Sequence, residues 1–98
     1  MSGGKSRKVL AIHPGEMLKD EMAERGISIN GLARALCVPP NRVSAVVNGK
    51  RAITADTALR LARFFGTSAG VWMNLQAEYD LRSADAGKIA REVLPHAS

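Results

Sequence analysis

The chain reads as an all-α domain of five helices, organised around two short ones joined at a steep angle by a tight turn. Three observations predict this. Apolar residues recur at helical spacing along most of the chain, at Ile29, Leu32, Ala33 and Leu36 and again at Val43, Val46 and Val47. Between those two stripes stands Pro39-Pro40, which forbids one continuous helix: the residue before a proline is pushed out of the α region, whereas Pro40 suits a first helical position. The charge is also unevenly spread. Of 14 Lys+Arg and 9 Asp+Glu, residues 27–63 hold six cations (Arg34, Arg42, Lys50, Arg51, Arg60, Arg63) against the single Asp56, so the whole net charge of +5 sits there.

The elements follow in order. Residues 1–11, small and polar at their start, are expected to form a mobile arm. A first helix begins at Pro14, with Glu16 complementing its positive end, and stops at Gly26 in a left-handed cap; Leu18 and Met22 form its buried stripe. Its opposite face carries Glu16, Asp20, Glu21 and Glu24, read as a solvated face. Ser28 caps a second helix, in which Gly31 implies a close backbone approach. Cys37, Val38 and Pro39 form the connector, and Ala33 leaves room for the crossing helix. The third helix runs from Pro40 to Asn48 and ends at Gly49. Lys50, Arg51 and Ala52 make a basic loop. Thr54 caps a fourth helix whose core face is Ala58, Leu61, Ala62 and Phe65, ended by Gly66. Ser68 caps a fifth, through about Leu81. The domain proper is therefore 12–84, and 85–98 is a tail with one further turn expected around Lys88 to Val93.

Composition excludes several classes. At 98 residues, 46% hydrophobic and 23% charged, this is one small globular domain that buries about 60–65% of its unfolded surface. No apolar run approaches membrane-spanning length, and Val9 to Ile12 is too short for a signal-peptide core. One cysteine makes no internal disulfide, which fits the cytoplasm. No cofactor or metal is expected: His13 and His96 lie far apart, Cys37 has no second cysteine, and no glycine-rich phosphate loop occurs. Cys37 is read as a small buried turn residue and His13 as local structure at a helix start, and no catalytic constellation remains.

A helix-turn-helix carrying the chain's positive surplus is the arrangement that places a helix in the DNA major groove while neutralising phosphates. With its valines inward, the third helix turns Asn41, Arg42, Ser44, Ala45 and Asn48 outward. Arg42 suits guanine and Asn41 adenine, Ser44 is adaptable, and Ala45 fits a thymine methyl. For Arg42 a plain phosphate contact is the other reading. Ser28, Asn30, Asn48, Lys50 and Arg51 are assigned to phosphates. One copy reads few base pairs, which calls for a homodimer on a palindromic operator with half-sites ~34 Å apart. Trp72, Leu75 and Tyr79 on the fifth helix spread over more than one stripe and are assigned to the dimer seam, with closure of the monomer core as the other reading for Trp72.

Three stretches carry a resemblance: His13 to Met22 (HPGEMLKDEM), Asn48 to Thr54 (NGKRAIT) and Ala58 to Gln76 (ALRLARFFGTSAGVWMNLQ). With the helix-turn-helix they span about residues 12–82, and they resemble the phage-repressor type of helix-turn-helix, more narrowly the HigA (VapI) antitoxins of toxin–antitoxin systems. The resemblance implies an all-α phage-repressor-like fold, dimerisation through C-terminal helices, repression of the protein's own operon and neutralisation of a small mRNA-cleaving toxin. It carries DNA roles onto Ser28, Asn41, Arg42, Ser44, Asn48, Lys50 and Arg51. A stand-alone regulator without a toxin is the alternative. Cys37 stands where many such turns place glycine, which argues against a left-handed backbone there.

Overall fold

The computed structural model describes residues 12–97. They form six helices: α1 Pro14–Arg25, α2 Ile29–Leu36, α3 Pro40–Val47, α4 Ala55–Phe65, α5 Ala69–Ser83 and α6 Ala86–Glu92. No strand occurs among them. The first five lie where the apolar stripes place them. The sixth, expected only as a turn in the tail, is begun by Asp85, whose carboxylate accepts from the Lys88 amide at 2.9 Å. It is braced by an ion pair one turn apart, Lys88 Nζ to Glu92 Oε2, at 2.7 Å. The assignment of residues 1–11 to a mobile arm lies outside the described residues.

Local chemistry sets the helix boundaries. His13 caps α1, its Nδ1 accepting from the Gly15 amide at 2.9 Å. Ser28 and Ser68 do the same for α2 and α5 at 3.0 and 3.2 Å, so first-turn donors that the helix leaves unpaired are satisfied. Gly26 and Gly66 close α1 and α4 in the left-handed conformation.

Helix α1 packs on α3 and α5, α2 on α3 and α4, and α4 on α5. The shared core is Leu18, Met22, Leu32, Ala33, Leu36, Val43, Val46, Ile53, Ala58, Leu61 and Trp72. Trp72 is its largest side chain and has no exposed surface. Its Nε1 donates to Thr67 Oγ1 at 3.1 Å, which removes the cost of burying an indole N–H. This corrects its assignment to a dimer seam: inside the core, the indole has nothing left to offer a second copy. Tyr79 is half-buried against the His13 ring, centroids 4.8 Å apart, and Leu75 is half-buried against the core. The apolar side chains that α5 and the tail leave outside are Leu81, Ile89, Val93 and Leu94, from 52% to 81% exposed.

The close backbone approach expected at Gly31 lies elsewhere. A Cβ at Gly31 would meet only its own cap, Ser28 Oγ, at 3.1 Å, whereas a Cβ at Gly15 would fall 2.1 Å from the carbonyl oxygen of Val46. Gly15 lets the start of α1 rest on the last turn of α3, and this contact sets where the outward face of α3 points. Gly15→Ala therefore forces the two helices apart and should destabilise by about 1–3 kcal/mol. Urea unfolding followed by circular dichroism measures it; an unchanged midpoint would show that α1 does not rest on α3.

Candidate nucleic-acid interface

Helices α2 and α3 and the loop 49–53 form one surface. The turn between the helices is tight because Cys37 adopts the left-handed conformation (φ 58°, ψ 46°) and its neighbour Val38 donates back to Ala33 O at 3.0 Å. The sequence argument against a left-handed Cys37 is thereby corrected: two backbone bonds at the end of α2 hold the conformation despite its steric cost. Cys37 is also exposed, not buried as expected, because the left-handed turn carries it off the core side of α2.

Buried Val43 and Val46 fasten α3 from beneath, leaving Asn41 and Asn48 exposed and Arg42, Ser44 and Ala45 half-exposed. The four residues assigned to bases thus lie on one helix, clear of the core. Asn48 Nδ2 reaches Ser44 Oγ at 3.4 Å along that face. Pro39 precedes α3 with no side-chain cap, and Pro40 has no amide, so the tip of the helix is poor in fixed donors. Among the phosphate candidates, Ser28 and Asn30 sit exposed at the start of α2, where first-turn amides favour anions. Lys50 and Arg51 are exposed on the loop after α3, which Gly49 (φ 74°) turns by its left-handed backbone.

Two features of the surface escaped the sequence reading. The first is Gln76. It is buried on α5, and its Oε1 accepts from the Ile53 amide at 2.7 Å while its Nε2 donates to Asp80 at 3.0 Å. The basic loop is therefore anchored to α5 at its far end. A glutamine within an otherwise apolar helix face was the available signal. The second is an ionic chain. Asp56 Oδ2 accepts from Arg42 Nη1 and from Arg60 Nε, each at 2.9 Å, and Arg60 Nη1 donates to Leu36 O at 2.9 Å. The ends of α2, α3 and α4 meet there. The Arg60 hydrogen bond, and after it the charge of Arg60 and the bond and charge of Arg42, holds the Asp56 carboxyl below the ordinary carboxylate range against partial desolvation. The pair consequently survives as pH falls through that range and is lost only below it.

A helix-turn-helix family model, HTH_3, matches residues 18–72, from within α1 to Trp72 of α5. This decides the family. The chain belongs to the HTH_3 helix-turn-helix family and, within it, to the HigA-like proteins. Virulence-associated protein I of Dichelobacter nodosus is 51% identical to this HTH_3 chain over 79 residues, 80% of this chain and 73% of that protein. A HigA-family addiction-module antidote protein from Coxiella burnetii superposes with a TM-score of 0.83 at 51% identity, covering 88% of this chain and 98% of that one. Pseudomonas aeruginosa antitoxin HigA, solved with the higBA promoter, gives 0.83 at 49% identity over 88% of this chain and 98% of its own. No helix among the described residues is long and apolar enough to cross a membrane.

The Gln76 anchor has a measurable worth. Gln76→Leu keeps the volume but leaves the buried Ile53 N–H unpaired, which costs about 1–3 kcal/mol. Amide exchange at Ile53 should accelerate well beyond that of the α4 core; equal protection in both proteins would mean that the loop is held by something else.

Proposed function

We propose that this chain is a cytoplasmic, DNA-binding antitoxin that represses its own operon and neutralises a small mRNA-cleaving toxin. The observation that carries the DNA half is the outward face of α3, continuous with the exposed cations of the 49–53 loop. Asn41, Arg42, Ser44 and Ala45 read base edges, and Ser28, Asn30, Asn48, Lys50 and Arg51 hold phosphates. Similarity to HigA antitoxins, one of them solved on promoter DNA, supports both halves.

Gel-shift titration of the gene's upstream region against scrambled DNA tests the first half. Arg42→Ala should cost about 1–3 kcal/mol on the operator and relax preference at one position. Lys50→Ala should weaken all DNA alike and lower the salt slope by about one. If both variants weakened every sequence equally, Arg42 would be a phosphate contact. The second half is tested by co-purification with the product of the adjoining gene and by its arrest of mRNA cleavage; failure of both would leave a stand-alone repressor.

The protein acts on its operator as a homodimer, joined through the end of α5 and through α6, with Leu75 and Tyr79 at the margin. An isolated helix of seven residues is not stable in water, yet α6 buries none of its residues within its own chain. Burial of Leu81, Ile89, Val93 and Leu94 against a second copy supplies the missing packing. Leu81→Glu should therefore give a folded monomer by sedimentation, with operator affinity reduced at least tenfold because two half-sites are no longer held together. A variant that stayed dimeric at micromolar concentration would move the seam away from Leu81.

A further inference from the structure

The ionic chain at Asp56 has no clear purpose as a staple. Asp56 and Arg42 are both partly exposed, and pairs of that kind add little to stability. Its position is more telling. Asp56 is the one acidic residue within the basic stretch 27–63, and it lies beside the surface that meets phosphates, where a negative charge opposes binding. Arg60 already pairs with it from one turn away on α4 and ties it to the end of α2 through Leu36 O. The carboxylate is thus fixed before Arg42 is considered. Arg42 then uses a single N–H, on Nη1, to bond it at 2.9 Å, so most of its five donors remain for another partner.

We propose that Asp56 is the specificity-determining positioning residue of the DNA site: it steadies the Arg42 guanidinium for base recognition and repels DNA that gives Arg42 nothing to read. This rests on the DNA-binding reading above. A guanidinium held from behind by a fixed carboxylate loses little further freedom when it engages a base edge, and its orientation is set by the protein. On unmatched DNA the same carboxylate is an uncompensated like charge near the phosphates, a repulsive element of the kind that specific interfaces use. The two effects act in opposite directions on right and wrong DNA, which a structural role does not do.

The test compares the wild type, Asp56→Asn, Arg42→Ala and the double variant on the operator and on scrambled duplex at one salt concentration. Circular dichroism fixes the temperature at which all four are folded. Asp56→Asn keeps the shape and removes the charge. Its affinity for scrambled DNA should rise roughly two- to fivefold, while operator affinity falls, so that the operator-to-scrambled ratio drops about tenfold. In the double variant the ratio should match that of Arg42→Ala alone, because Asp56 acts through Arg42. Equal gains on both DNAs would make Asp56 a plain electrostatic brake and overturn the positioning role, and equal losses would make it a structural staple. An unchanged ratio overturns the proposal by itself, whereas a wild type that cannot tell operator from scrambled DNA overturns the DNA-binding reading with it.

Discussion

Everything in this small domain depends on the seat of Trp72. Two eight-residue helices cannot hold each other at a fixed angle, since each is too short to persist alone. They are held because α1, α4 and α5 close a core beneath them, and the indole is the largest volume in that core. Its one polar atom is satisfied by Thr67, so the core gains apolar burial without an orphaned donor. The helix-turn-helix is the part of the fold that meets a partner, and the remaining helices keep it in shape.

Three local devices transmit that rigidity to the surface. The missing side chain of Gly15 lets α1 press on the end of α3 and fixes its tilt. The left-handed Cys37 fixes the turn between α2 and α3. Gln76 draws the loop after α3 down onto α5 through one buried hydrogen bond. Each governs one degree of freedom of the interface, and the exposed readers on α3 are involved in none of the three.

Much of this was legible from the residues. Prolines, glycines and the Ser and Thr caps lie at the helix ends because they act locally, and helices α1 to α5 were read close to their observed bounds. The outward set on α3 followed from its valine stripe. What escaped depends on distance across the fold. Whether Trp72 lay inside or outside turned on how much room α1 and α4 left for it, which periodicity along α5 cannot say. The partners of Gln76 and Asp56 lie 23 and 14 residues away, at Ile53 and Arg42. Cys37 was judged by the steric preference of one residue, and two tertiary-enforced hydrogen bonds outweighed it. The sixth helix was missed as a full element because Gly87 and the lack of a buried stripe hide it.

The two prolines that open α3 have a consequence for how such proteins diverge. They strip the helix tip of amide donors that would grip any backbone regardless of sequence, so recognition falls to a few side chains that contribute almost nothing to folding. Changes at such surface positions usually shift stability by no more than about 0.5 kcal/mol. A duplicated copy of the gene can thus exchange Asn41, Ser44 or Ala45 and acquire a different address on the chromosome while its core stays untouched. Several of these regulators can then share one cell without crosstalk.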